Sequence, residues 1–277
     1  MKRILFSTFI LFLLCLPVLA QEYKRIVSLA PSVTESLCEL GLESDIVGIT
    51  IFCPKGNTPK EMIGTLLEPD TEKIAVLKPD LIVSTKEGNN KAAVEKLVRL
   101  GFNVYVMESS DNFIEICSNF YGLAKKTGQE ENAGKIIDKA KETISDVLSK
   151  LEDVPQQDMF WEVGAKPLYT AGKYSFVNDY NYYTKTVNVY ADVEMRYPLI
   201  DIEDVLERNP EIIVLVNMGD ISAEEVNVWK KYATLNAVKN GKIFMIDVND
   251  VFTPTPSTFA KGVTILSKIL YPEIFVD

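Results

Sequence analysis

Histidine is absent from all 277 residues of the chain. Without it there is no Ser-His-Asp triad, no Cys-His pair and no HExxH zinc helix. A zinc or manganese centre would have to form without the commonest metal ligand. The acid–base chemistry that remains belongs to carboxylates. Glu87 with Glu162 is the one pair that suggests itself for an exported carboxylate-dependent hydrolase, and no motif surrounds it. The expectation is that the chain is not an enzyme.

Cysteine is scarce too, with 4 in the chain, and only Cys38, Cys53 and Cys117 lie beyond the first twenty residues. That number is compatible with one disulfide and a free thiol, but not with a disulfide-framework protein. Cys38 and Cys117 fall in helical patterns and read as small apolar packing groups. Positive charge is also short: 29 Lys and Arg face 39 Asp and Glu, for a net charge of −10. Nucleic acid and anionic lipid both require clustered Lys and Arg, so neither is an expected partner.

Long apolar runs occur in one place. Lys2 and Arg3 precede an apolar stretch from Ile4 to Leu16, and Val18-Leu19-Ala20 forms a small-residue cleavage site before Gln21. This is the pattern of a secretory signal peptide over residues 1–20. A lipid anchor on Cys15 is disfavoured because Leu14, just before it, is not small. Loss of Lys2 and Arg3 on cleavage moves the net charge from −10 to −12.

Beyond the leader, short β-branched runs alternate with helical patterns. Strands are predicted at Arg25–Leu29, Ile46–Thr50, Leu81–Ser84 and Asn103–Met107. Helices are predicted from Ser32 or Thr34 to Leu40, near Thr71–Leu77, and over Asn90–Leu100. From Gln129 to Leu151 an apolar stripe of Ala133, Ile136, Ile137, Ala140, Ile144, Val147, Leu148 and Leu151 predicts one long helix. Alternation then resumes, with strands at Met159–Val163, Ile212–Val216 and Ile243–Ile246 and helices near Ser175–Thr184, Ala223–Tyr232 and Ser257–Ile269. The halves echo each other: Glu72 and Glu203 each precede a proline, Pro79 and Pro210, by seven residues, and a β-branched run follows. The expected fold is α/β, with two Rossmann-like lobes of mostly parallel sheet joined by one long rigid helix. Residues 21–128 would form the first lobe, 129–154 the linking helix and 155–277 the second lobe.

Four segments, Arg25 to Glu35, Gly64 to Ile74, Leu77 to Val83 and Ile202 to Pro210, together resemble the helical-backbone substrate-binding proteins of ATP-driven importers. Those importers carry vitamin B12, ferric siderophores and haem. The resemblance keeps its order from about Arg25 to the C-terminus. It implies a periplasmic, monomeric receptor with no permanent cofactor, which takes ligand between its lobes and delivers it to a permease dimer. It further implies that Glu72 and Glu203, one on each lobe, dock to arginines of that permease. Each glutamate also suits the first turn of its helix on helix-dipole grounds alone.

Cleft residues are expected from loops after the strands. From the first lobe these are Ser32, Phe52, Cys53, Lys86 and Glu87; from the second, Tyr174, Phe176, Arg196, Tyr197 and Phe252, with Asn217 to Gly219 beside them. Tyr174 is expected to open a helix facing the cleft. Cys53 reads equally as a packed thiol, a soft ligand or a disulfide partner. Aromatic faces suit a large flat ligand. The resemblance places Tyr197-Pro198 and Phe52 at corrin-contacting positions, whereas Thr85 stands where vitamin B12 binders have tryptophan. A catecholate siderophore would want a basic cleft, for which Lys86, Lys173 and Arg196 are the candidates. Haem would need a tyrosine ligand to iron. A corrinoid is the first expectation; haem or a ferric siderophore is the alternative.

Overall fold

The computed structural model describes residues 22–217 and 223–276. The leader with Cys15, and Met218-Gly219 of the expected cleft, lie outside the described residues.

The first lobe runs β1 (Ile26–Ser28), α1 (Pro31–Glu39), β2 (Ile46–Ile49), β3 (Glu61–Met62), α2 (Thr71–Leu77), β4 (Leu81–Thr85), α3 (Lys91–Arg99), β5 (Val104–Met107) and α4 (Phe113–Thr127). The long helix α5 (Glu130–Lys150) follows. The second lobe comprises β6 (Gln157–Glu162), β7 (Gly164–Ala165), β8 (Leu168–Tyr169), α6 (Val177–Tyr183), β9 (Thr186–Asn188), α7 (Ile202–Arg208), β10 (Ile212–Asn217), α8 (Ala223–Lys230), α9 (Asn236–Lys239), β11 (Ile243–Asp247), α10 (Val248–Val251) and α11 (Pro256–Leu270).

Each lobe is built on a parallel sheet, in the order β3-β2-β1-β4-β5 for the first and β11-β10-β6-β9 for the second. Both sheets are covered on both faces, which is why their strands are apolar at consecutive positions. Along β6 and β10, Met159, Trp161, Ile212 and Val214 face the main core, while Phe160, Ile213 and Leu215 face α8 and Trp229. The period-two alternation of side chains does this sorting.

The duplicated unit keeps its chemistry as well as its spacing. Asp70 caps α2 by accepting from the amides of Glu72 and Lys73, and Asp201 caps α7 by accepting from that of Asp204. Each helix ends on a residue in the left-handed region, Lys78 (φ 46°) and Asn209 (φ 47°), followed by proline. A left-handed residue and then proline stop a helix cleanly.

Helix α5 is not an isolated strut. It packs between α4 of the first lobe and α11 of the second, and one apolar cluster runs continuously from Ile26 through Phe120, Ile144 and Phe259 to Trp161. Helix α4 holds Cys117, expected in a helical pattern, but its bounds were not predicted. Its apolar stripe, Phe113, Ile116, Phe120, Leu123 and Ala124, directly precedes that of α5 and is cut from it only by Gly128 (φ 73°).

Candidate functional site

In an open parallel sheet, ligands bind beyond the carboxyl ends of the strands where the strand order reverses. In the first lobe that reversal lies between β1 and β4; in the second it lies at β6. The chain leaving β1 brings Pro31 and Ser32, that leaving β4 brings Glu87, and Val163 follows β6 directly. These residues line one cavity of about 950 Å³ between the lobes. That volume is at the large end for small-molecule sites.

Its second-lobe wall is aromatic. The Phe252 ring lies 5.8 Å from that of Phe176 and 6.0 Å from that of Tyr197, so three rings form a continuous surface. Opposite them stand Phe52, Leu66 and Leu67. Phe52 is 66% exposed and Leu67 61%, a degree of apolar exposure that a ligand face would cover. Burial pushes the Glu87 carboxyl upward, opposed by the nearby Arg196 guanidinium. Burial, then the charge of Glu87, raises the Tyr197 phenol far above its ordinary range.

Six of the expected residues meet in this cavity: Ser32, Phe52, Glu87, Phe176, Tyr197 and Phe252. Four do not line it. Arg196 stands behind the wall, donating to the Ser110 carbonyl (2.9 Å), to Asp111 and, at 3.5 Å, to Glu87. Lys86 turns to Glu108 at 2.8 Å. Tyr174 does not open a helix toward the cleft; α6 begins at Val177, and Tyr174 lies half-exposed against the Lys173 ammonium. The local chain sends Phe176 inward instead. Cys53 is buried with its Sγ 3.1 Å from Thr50 Oγ1, beside a smaller depression. Cys38, Cys53 and Cys117 are all free thiols, and burial pushes Cys38 and Cys117 up to about 11. At that value they are protonated and unreactive near neutral pH.

Sequence reasoning missed Leu66, Leu67, Met107, Asn119 and Tyr169, which also line the cavity. Leu66 and Leu67 sit on a tight loop that Gly64 (φ 96°) and Pro69 close by a backbone bridge. The pair of adjacent leucines before Pro69 was the available signal.

The proposed Glu87–Glu162 pair is separated by the fold. Glu162 is fully buried under α8, its Oε2 accepting from Trp229 Nε1 at 2.6 Å, while its Oε1 has no partner. Burial pushes this carboxyl up to about 7. A folded pKa above the unfolded value contributes stability that is present below the unfolded value and lost as pH rises through about 7. We expect the wild-type melting temperature to fall between pH 5 and 8 more steeply than that of Glu162→Gln, as read by thermal denaturation across that range.

Glu72 and Glu203 occupy matched places in the first turns of α2 and α7. Both carboxylates are exposed.

The family model described as periplasmic binding protein matches residues 26–249. An uncharacterized ABC transporter substrate-binding lipoprotein, YvrC, of Bacillus subtilis is 28% identical over 93% of this chain and 83% of its own. The vitamin B12-binding protein of Vibrio cholerae is 27% identical over 85% of each chain. Among solved structures, a possible iron-binding (periplasmic solute-binding) protein of Staphylococcus epidermidis superposes with a TM-score of 0.79, at 27% identity, covering 91% of this chain and 100% of its own. With two parallel-sheet lobes, a cavity between them and a family match over most of its length, this chain belongs to the periplasmic binding protein family.

Proposed function

We propose that the chain is the exported receptor of an ATP-driven importer and that it collects a corrinoid, a large planar metal chelate, in the cavity between its lobes. The supporting observation is the cavity itself: about 950 Å³ with the Phe176, Tyr197 and Phe252 rings along one wall. Stacked aromatic rings bury the face of a flat ligand at low entropic cost because few torsions are immobilised. Leu66, Leu67 and Phe52 cover the opposite face. The similarity to a vitamin B12-binding protein supports the same choice. Haem, held through a tyrosine such as Tyr169 on the cavity wall, is the second reading.

In this role the protein catalyses nothing. Its leader is removed, it acts in the periplasm as a monomer, and Glu72 and Glu203 present one carboxylate per lobe to a permease dimer. Because one apolar cluster spans both lobes and α5, closure on ligand is small.

Absorbance and calorimetric titration with cyanocobalamin, cobinamide, haemin and a ferric hydroxamate tests the ligand. Saturable binding of the corrinoids, with no band shift for haemin, is the expected result. A band shift with haemin alone would replace the corrinoid by haem. Phe252→Ala removes the ring shared by both aromatic contacts, and corrinoid affinity should fall about 10- to 100-fold with little change in melting temperature. An unchanged Kd would remove Phe252 from the site.

A further inference from the structure

The three cations that the sequence offers to an anionic ligand, Lys86, Lys173 and Arg196, are each already paired with a carboxylate of the protein. Lys86 pairs with Glu108 at 2.8 Å and Lys173 with Glu194 at 2.7 Å. Arg196 meets two carboxylates, Glu87 at 3.5 Å and Asp111, and its remaining reach goes to the Ser110 carbonyl at 2.9 Å. One guanidinium between two carboxylates leaves that cluster one unit negative. The cavity wall carries Glu87 and Glu108 but, among the described residues, no Lys or Arg. Residues 218–222 contain neither.

A ligand carboxylate entering this cavity would lose its water without gaining a cation, and a desolvated, unpaired charge is costly. It would also approach Glu87, a like charge in a partly dry setting. A ligand amide would meet acceptors instead: the Glu87 carboxylate and the side chains of Ser32, Asn249 and Thr253 all line the cavity. A ligand cation would be attracted by the same surplus of negative charge.

We infer that the cleft selects its chelate by charge, accepting a neutral or cationic macrocycle that carries amides and rejecting the same macrocycle when it carries free carboxylates. This rests on the corrinoid reading of the cavity. Glu87 is the specificity-determining residue, and Arg196 positions it from behind. The arrangement also bridges the lobes, since Glu87, Ser110 and Asp111 belong to the first and Arg196 to the second. The charge that selects the ligand is therefore held in place by a contact between the lobes.

The test compares cyanocobalamin with its monocarboxylic acid, in which one propionamide is hydrolysed, by calorimetric titration near pH 7.5. The two differ by a single amide-to-carboxylate change, and the acid should bind about tenfold more weakly or worse. Equal or tighter binding of the acid would overturn the inference while leaving the corrinoid reading intact. Glu87→Gln should bring the ratio toward one, because Arg196 then faces only Asp111; an unchanged ratio would remove Glu87 from the selecting role. The wild-type comparison carries the test even where that variant fails to fold. Should neither corrinoid bind, the corrinoid reading fails, and haemin against its dimethyl ester puts the same question to a different macrocycle. Preference for the ester sustains charge selection, preference for haemin overturns it, and no binding by any of the four overturns both.

Discussion

Alanine at Glu72 and Glu203 together should leave ligand affinity unchanged and lower uptake through the importer by roughly 100-fold or more. The two carboxylates sit on equivalent helices of the two lobes, each exposed in the first turn behind a capping aspartate. Two alternatives make different forecasts. If each glutamate only complements its helix dipole, its loss costs about 0.3–1 kcal/mol of stability and transport is untouched. If each forms one charge-assisted contact with the permease, losing both removes two anchors of a single docked complex. Single replacements should then give intermediate uptake, since one lobe still engages. The measurement is vesicle uptake at saturating ligand, paired with melting temperature and Kd for the same variants. Uptake that survives the double change would eliminate the docking role, and a rise in Kd would show that the helices serve the cavity instead.

Phe259→Ala is expected to cost about 3–5 kcal/mol, the range for emptying a large aromatic position in a close-packed core. The ring lies at the junction of both lobes. It stacks on Tyr180 of α6 at 4.2 Å and 12°, and on Phe113 of α4 at 4.9 Å and 26°, with Tyr183 edge-on at 5.9 Å. It is fully buried in the cluster that also holds Ile144 of α5. Deleting it leaves a void that neither lobe can fill alone, because its neighbours lie on helices of both lobes, Phe113 on α4 and Tyr180 and Tyr183 on α6. The melting temperature should drop by about 6–20 °C for a chain of this size. Conversion to leucine should recover part of the loss by restoring volume without the stacking. A drop smaller than the change for an exposed position such as Tyr182→Ala would contradict the junction role.

Most of the architecture was legible because it rests on neighbours in the chain. Strands β1, β2, β4, β5, β6, β10 and β11, the long helix and the duplicated glutamate-to-proline unit follow from short periodicities and caps, which need no tertiary partner to be recognised. The two- and three-residue edge strands β3 and β9 are too short to carry such a signal. The extent of helix α4, expected only as a helical pattern around Cys117, escaped because its stripe runs into that of α5, so that only Gly128 marks the join. The hairpin of β7 and β8, two residues each, is too short to carry a periodic signal, and Tyr169 on the cavity wall was missed with it.

Six of ten expected cleft residues reach the cavity, and the four failures share a cause. Placing a residue on a loop after a strand says that it lies near the cleft, not which way its side chain turns. Tyr174 and Phe176 are two residues apart, yet Phe176 packs against Phe252 while Tyr174 lies beneath Lys173 near the surface. Lys86 and Glu87 are adjacent, yet the lysine finds Glu108 and the glutamate faces the cavity.

Composition by itself settled that histidine-dependent chemistry is closed to this chain and that positive charge is in short supply. Local pattern by itself settled the α/β alternation and its duplication. Only the folded chain decided where that scarce positive charge goes. The Arg196 guanidinium and the Glu87 carboxylate lie 109 residues apart, and nothing local to either reports the other. Their pairing depends on two sheets brought face to face by α4, α5 and α11. A cleft that looked able to offer cations is thereby left with carboxylates and aromatic rings.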